Sequence, residues 1–584
     1  MRRRAWTVFL AGVLLTIAIG GCGTQQPESE IAGTEVETAE TGTEIESATG
    51  AETESPGQGA VSQPQMELVN DRELNLIDDN YRTCYEVFVY SFYDSNGDGI
   101  GDLAGLTQKL DYINDGDPET DTDLGCTAIW LMPVMPSTTY HKYDVTDYCG
   151  IDPEYGTLED FQTLVEECHK RGVNVIIDFV MNHSSSQHKW FLEACDYLQS
   201  LEEGREPSTE ECPYVEYYHF SKEQAGAYNQ VSETEWYYEC QFWSEMPDLN
   251  LTSEMVRQEF TDIVQFWLDL GVDGFRLDAV KEFETGNTEA NIEILTWFTD
   301  MVKSKKEDAY IVGEAWTDQT TYAQYYESGM DSLFDFAFAD KGGIIANVVK
   351  GSSNNGAVSF GNALTAEQEL YAGYSKQYIN APFYSNHDMG RSAGYYAGDY
   401  SENQTKMGHA LNLLMGGCTF LYYGEELGMK GSGKDENKRL AMYWSADESM
   451  EGMCDGPKDA ESVAMKYGSL EEQQNDPYSI YNFVKQAIKL RNIYPEISHG
   501  QVELVADLSN ENICVLKKYY EDSELLMVFN LSQEKQEVDL STVSLNGNAA
   551  GELSEAGMLQ TTEEAVTTEG NTVVMPAYSV VLYQ

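Results

Sequence analysis

Basic residues are scarce in this 584-residue chain: 35 Lys and Arg stand against 99 Asp and Glu, a formal charge of −64. That field repels phosphate backbones, which excludes a general nucleic-acid binder, disfavours polyanionic substrates and suits a neutral one. Long apolar runs are also missing. Beyond the N-terminal segment no stretch reaches the roughly 18 apolar residues of a membrane-spanning helix. Cysteine is present at 11 positions, yet no C-x-x-C pair or Cys/His spacing of the zinc-ligand kind occurs. No internal repeat is present. What remains is 42% hydrophobic and 12% aromatic, the composition of a folded globular protein. The length implies two to four domains, because single cores stop growing at about 250–300 residues.

The N-terminus reads as an address. Arg2, Arg3 and Arg4 precede an apolar run from Ala5 to Ile19, followed by Gly20, Gly21 and Cys22. That is a basic n-region, a short h-region and a small-residue cleavage site. Ile19-Gly20-Gly21-Cys22 resembles a bacterial lipobox. The resemblance implies cleavage before Cys22, lipidation of its sulfur, and a protein held on the outer face of a bacterial membrane through that lipid alone. Residues 1–22 are thus the expected leader. From Gly23 to Met66 there is no Lys or Arg, only Thr, Glu, Gly, Ser and Gln with a few apolar residues. Such a composition buries too little apolar surface to offset ordering entropy, so residues 23–70 are expected to be a disordered acidic linker.

From about residue 81 short apolar runs alternate with helical stretches. The expected strands are 84–92, 128–132, 173–178, 274–278, 310–313, 333–336, 378–384 and 419–423, several nearly continuous in apolar residues as buried parallel strands are. Helices are expected at 158–170, 254–270, 289–305 and 403–415. Eight β–α units in series predict an α/β fold, a (β/α)8 TIM barrel over 81–181 and 249–495. Residues 182–248 form an insertion after the third strand. Residues 496–584 read as short strands between polar turns, a C-terminal antiparallel β-sandwich.

In such barrels the site lies at the C-terminal strand ends. The third strand leads from Asp178 to Asn182-His183, and the fourth reads Gly274-Phe275-Arg276-Leu277-Asp278-Ala279-Val280-Lys281. The fifth ends Gly313-Glu314-Ala315-Trp316, and the seventh leads into Asn386-His387-Asp388. Alternation puts Arg276 and Asp278 on one side of their strand, where the guanidinium keeps the carboxylate ionised as a nucleophile requires. Glu314, beside an indole, suits a raised pKa and proton donation.

These four segments, in this order, resemble the signature regions of glycoside hydrolase family 13, the alpha-amylase family, and the resemblance spans residues 81–584. It implies a retaining glycosidase whose nucleophile is Asp278, whose acid/base is Glu314 and whose third carboxylate, stabilising the transition state, is Asp388. Arg276, His183 and His387 match residues lining the same subsite, and Asp178 matches the aspartate of the first region. Tyr140-His141-Lys142-Tyr143-Asp144 resembles the segment whose tyrosine, here Tyr143, stacks on the sugar ring, with His141 beside it. Met246-Pro247-Asp248-Leu249-Asn250 resembles a fifth region intermediate between the oligo-1,6-glucosidase and neopullulanase branches. Ala279 resembles α-1,4-acting members, and Lys281 an aglycone-subsite lysine. The implied substrates are starch and maltooligosaccharides. Transglycosylation, α-1,6 cleavage and a non-catalytic glucan-binding role remain open from sequence.

Asp94-Ser95-Asn96-Gly97-Asp98-Gly99-Ile100-Gly101-Asp102 places hard oxygen donors at alternate positions, the pattern calcium takes. It resembles the calcium loop of the oligo-1,6-glucosidase branch, which implies the side chains of Asp94, Asn96, Asp98 and Asp102 and the Ile100 carbonyl as ligands. A second calcium site of many relatives would use Asn182 and Asp248, but Glu282 stands where histidine is usual. Gly428–Asp435 has P-loop spacing, but Asp435 replaces the Ser or Thr that would hold magnesium. Among the cysteines, Cys195, Cys212 and Cys240 allow one bridge in the insertion. Trp236, Tyr237, Tyr238 and Trp243 are either core or a sugar-stacking platform.

Overall fold

The computed structural model describes residues 77–584, apart from Glu119, Ser353 and Asn355. The leader, Cys22 and segment 23–70 lie outside these residues. Eight parallel strands follow one another along the chain: β1 (Thr83–Val87), β2 (Ala128–Leu131), β3 (Asn174–Phe179), β4 (Gly274–Leu277), β5 (Tyr310–Gly313), β6 (Ser332–Phe334), β7 (Ile379–Ala381) and β8 (Thr419–Tyr422). Each strand pairs with its sequence neighbour, and β8 returns to pair with β1. A parallel bridge from Phe383 to Phe420 joins β7 to β8, with Cys418 N donating to Asn380 O at 2.8 Å. The sheet is thereby a closed (β/α)8 barrel, the architecture expected from the alternating runs.

Two strands are four residues shorter than their apolar runs. The first ends at Val87, and Val89–Ser91 tightens into a 3-10 turn that starts the loop toward Asp94. The seventh stops at Ala381 because Pro382 has no N–H to donate to the ladder.

The barrel is covered by amphipathic helices. Leu158–Lys170 begins with a capping box in which Thr157 and Asp160 satisfy each other's backbone N–H groups. It buries Phe161, Leu164, Val165 and Cys168, a stripe at helical spacing. Leu164→Ala would cost about 2–5 kcal/mol by emptying that stripe.

Between β3 and β4 the chain forms a helix, Lys189–Ser200, and a three-stranded antiparallel sheet of Phe220–Ser221, Tyr237–Glu239 and Tyr228–Gln230. An antiparallel bridge from His183 to Asp248 staples the two ends of this segment at the barrel rim. Trp236 and Tyr238 are buried within it, so they serve as its core, whereas Phe242 and Trp243 are about half exposed on its return leg (53% and 49%). All ten cysteines among the described residues are free thiols, so the bridge considered for Cys195, Cys212 and Cys240 is not formed.

Beyond residue 500 a five-stranded antiparallel sheet, with Ile513–Tyr520 and Ser523–Asn530 near its centre, faces a three-stranded one built on Thr572–Met575. Val515, Leu526, Val528 and Val581 point between the sheets toward Val538, Val573 and Met575. Their alternate neighbours Cys514, Leu516, Met527 and Phe529 join the main core against the barrel helices. The apolar run 572–582 is two strands, not one: a turn with Tyr578 at φ 51° carries the chain from one sheet to the other.

Candidate active site

Alternation along the strands builds the site. Cys84 on β1, Ile176 on β3, and Tyr310 and Val312 on β5 face the barrel interior. Tyr85, Val175, Ile177 and Ile311 pack outward into the layer shared with the helices. Two residues further on, the inward rows carry Glu86, Asp178 and Glu314, and β4 runs through Arg276 to Asp278. Hydrocarbon gives way to charge at the C-terminal end of the barrel, where sites of this fold lie.

Arg276 is the hub and is fully buried. Its Nη1 lies 2.6 Å from Asp278 Oδ1 and 2.9 Å from Asp178 Oδ1, and its Nη2 lies 3.1 Å from Glu314 Oε2. One cation facing three carboxylates leaves negative charge in excess, so a proton is retained among them. Burial pushes Glu314 up to about 7; Arg276 opposes this, and the charges of Asp278 and Asp388 add to it. Trp316 is not the cause, for its ring lies half exposed, stacked on Phe336 at 5.3 Å. Burial likewise lifts Asp178 to about 6, against Arg276 and with the help of Asp278.

The residue after Asp278 carries strain. Ala279 sits at φ 50°, a left-handed conformation that costs a non-glycine residue roughly 1–3 kcal/mol. Its N–H donates to Glu314 Oε2 at 3.1 Å, and Val280 N donates to Glu314 O at 2.9 Å. These bonds fix the turn after β4 against the end of β5.

Asp388 reaches the same cavity from the loop after β7. Its Oδ2 lies 3.0 Å from His387 Nε2 and its Oδ1 3.1 Å from Arg439 Nη2. Burial acts to raise its pKa, but His387, Arg439 and Arg276 hold it well below the usual carboxylate range. Tyr143 stacks on the His387 ring at 5.5 Å and donates its hydroxyl to Asp178 Oδ2 at 2.9 Å. His141 Nδ1 accepts the Tyr143 N–H at 3.2 Å, which leaves its proton on Nε2; burial, then Arg439, brings its pKa down to about 4. His183 Nε2 is buried, with no hydrogen-bond partner among the described residues, in a ring that lines the cavity. Lys281 lines it too, with Nζ 2.5 Å from Glu282 Oε1.

All of the expected sugar-site residues therefore gather at one end of the barrel. Asp278, Glu314, Asp388, His141, Tyr143, His183 and Lys281 line a single cavity of about 800 Å³, with Arg276, Asp178 and His387 in contact with that set. The cavity also holds residues the sequence reading passed over. Phe242 lies over His183 at 5.4 Å between ring centres, and Asp435, Lys438 and Arg439 close another wall. Asp435 pairs with Arg439 and accepts the Tyr140 hydroxyl at 2.7 Å. The segment with P-loop spacing thus ends at the wall of this cavity. A carboxylate in contact with a guanidinium, next to a carboxyl group that keeps its proton up to about pH 7, suits nucleophilic attack coupled to proton donation.

The loop 94–102 is folded on itself. Asp94 Oδ1 accepts from Asn96 N at 3.0 Å and Gly97 N at 2.6 Å, and Asp94 Oδ2 accepts from Gly99 N at 2.8 Å. Asn96 and Asp98 accept from the N–H two residues on, and Asp102 caps the following helix through Gly105 N at 2.7 Å. Among the described residues none of Asp94, Asp98 and Asp102 forms an ion pair with a basic side chain, so the oxygen donor set fits a hard cation in its chemistry. No group of three or more His, Cys, Asp or Glu side chains among the described residues is drawn together closely enough to hold a metal ion. At the second calcium position Asn182 Nδ2 donates to Asp248 Oδ1 at 3.3 Å and Asn182 Oδ1 is buried without a partner, but Glu282 is engaged by Lys281. Burial, with Glu239 and Glu282 nearby, raises Asp248 to about 8.

The family model of the alpha-amylase catalytic domain matches residues 86–500. Alpha-amylase 3 of Dictyoglomus thermophilum is 35% identical over 500 residues, covering 85% of this chain and 92% of that protein. A probable oligo-1,6-glucosidase 3 of Bacillus subtilis is 29% identical over 518 residues, covering 77% and 90%. The solved structure of Eubacterium rectale Amy13B superposes with a TM-score of 0.85 at 53% identity, covering 88% of this chain and 98% of that one. With the barrel, the strand-end carboxylates and this similarity together, the chain is a member of glycoside hydrolase family 13, the alpha-amylase family.

Proposed function

We propose that this glycoside hydrolase cleaves α-1,4-glucosidic bonds in starch and maltooligosaccharides with retention, using Asp278 as nucleophile and Glu314 as acid/base. The observation that carries the reading is the Arg276 hub, which brings Asp278 and Glu314 within 3.1 Å of one guanidinium while Glu314 keeps its proton up to about pH 7. Asp278 Oδ attacks the anomeric carbon, the bond from that carbon to the glycosidic oxygen breaks, and Glu314 gives its proton to the departing oxygen. A covalent glycosyl ester on Asp278 results. Glu314, now a carboxylate, takes a proton from water as the water oxygen attacks the same carbon and releases Asp278. Asp388, held by His387 and Arg439, binds sugar hydroxyls and stabilises the positive charge of the transition state. Tyr143 offers its ring face to the sugar, and His141 and His183 offer Nε2–H donors.

Calcium is the proposed cofactor, held by Asp94, Asn96, Asp98, the Ile100 carbonyl and Asp102, and it supplies loop stability rather than chemistry. Lipidation at Cys22 would tether the enzyme outside the cell, where uptake captures its products. Similarity to an oligo-1,6-glucosidase favours α-1,6 action as the second reading.

Chromatography of products from amylose, pullulan and, separately, α-1,6-linked oligosaccharides tests both readings, with Asp278→Asn as the control. Maltooligosaccharides from amylose, absent with the variant, are expected. Release from α-1,6-linked oligosaccharides with amylose untouched would favour the second reading, and no product from any glucan would overturn both.

A further inference from the structure

The geometry points to Glu86 as a positioning residue for the reaction: from β1 it holds His387 from behind, so that both ring nitrogens carry protons and Nε2–H is aimed at Tyr143 and Asp388. This rests on the glycosidase reading above and adds to it a residue that touches no substrate.

Glu86 is the charged residue in an otherwise apolar and hydroxylic strand, Thr-Cys-Tyr-Glu-Val, and is only 1% exposed. Its Oε1 lies 2.6 Å from His387 Nδ1. Among the described residues that imidazole is its one ion-pair partner, so the ring must be cationic for the buried carboxylate to be offset. The other ring nitrogen gives the same answer. His387 Nε2 lies 2.7 Å from Tyr143 Oη and 3.0 Å from Asp388 Oδ2. Tyr143 spends its hydroxyl proton on Asp178 Oδ2, so toward His387 its oxygen accepts.

Every titratable group facing the ring is therefore an acceptor: Glu86 from β1, Tyr143 from the loop after β2, Asp178 from β3 through Tyr143, and Asp388 from its own loop. Arg276 and Arg439 contact Asp178 and Asp388. Trp130 presents its ring to His387 at 5.6 Å and an angle of 76°, supplying packing and no proton acceptor. Burial lowers the His387 pKa, but the charges of Asp388 and Glu86 outweigh it and push it up to about 9. With Arg439 on one oxygen of Asp388 and His387 on the other, the carboxylate plane is set by two cations. Glu86 acts on that plane through the ring.

The test is an NMR titration of the full-length protein labelled with ¹⁵N-histidine. The chain has eight histidines, and His387→Gln assigns the signal. We expect a doubly protonated ring up to about pH 9 in the wild type. Glu86→Gln, which keeps an acceptor but removes the charge, should lower the midpoint by about one unit or more, a tenfold change in the protonation equilibrium. Glu86→Asp should restore part of it. On a glycosyl fluoride, whose departure needs no acid, Glu86→Gln should lower kcat about tenfold, with a smaller change in KM and an alkaline limb moved to lower pH. A neutral His387 at pH 7.5 in the wild type overturns the proposal whether or not any variant folds, and so does an unmoved midpoint in Glu86→Gln. Undiminished cleavage by Asp278→Asn would instead overturn the glycosidase reading and leave the ring titration to judge Glu86.

Discussion

Glu314 and Asp278 follow adjacent strands, are buried to a similar degree and share one guanidinium. The contact to Asp278 is 2.6 Å and that to Glu314 is 3.1 Å through the other nitrogen. Burial raises the Glu314 pKa against Arg276, and the charges of Asp278 and Asp388 add to it, so Glu314 keeps a proton to about pH 7. A raised carboxyl pKa means protonated below it and ionised above it. The acid needed for the first step is therefore lost as pH climbs, and kcat/KM should fall tenfold per unit above about pH 7. Glu314→Gln should abolish that limb and lower kcat by about 10²–10⁴-fold on natural glucans. A pH–rate series on both proteins checks this; a limb that persists in the variant assigns it elsewhere.

At the scale of elements, β5 is read from sequence to the residue and the helix Leu158–Lys170 likewise, because continuous apolar runs and a capping box leave little choice. The segments that end β3, β4 and β5 were equally readable, since each puts its charge on an inward row at a strand end, whereas Asp388 comes from the loop after β7. Glu86 obeys the same parity two residues beyond Cys84, and a carboxylate inside a buried strand is the signal that would have found it. Arg439 and Phe242 left no such signal: one comes from the loop after β8 and the other from the insertion, and only the closed barrel brings them to the cavity. The loop 94–102 is a further element, which the proposed function assigns to calcium. Chelation by EGTA should lower the melting temperature by several degrees, with recovery on adding calcium, because a ligand bound only to the native state stabilises it by mass action. Asp98→Ala should remove that response. An unchanged melting curve would remove calcium from the account.

Among the described residues a barrel is braced by a sandwich, and a buried lysine lies where the two meet. Lys518 donates from Nζ to Ile497 O at 3.1 Å, and burial, with the charge of Arg491, brings its pKa down to about 7 against the pull of Glu367. The unfolded chain, with an ordinary lysine near 10.5, binds more protons between those two values. Stability therefore rises with pH from about 7 toward 10.5, and the penalty is full below about 7. Lys518→Met should raise the melting temperature more at pH 6.5 than at pH 10, and an equal shift at both would mean that folding leaves the pKa of the lysine unchanged.

In the proposed mechanism one cavity holds nucleophile and proton donor around a single cation, which implies retention at the anomeric carbon. The most direct test of that claim is ¹H NMR of the anomeric protons in the first minutes of maltooligosaccharide cleavage, before mutarotation. The account predicts that the α-anomer appears first and relaxes to the equilibrium mixture. Initial release of the β-anomer would mean a single displacement by water and would contradict Asp278 as nucleophile.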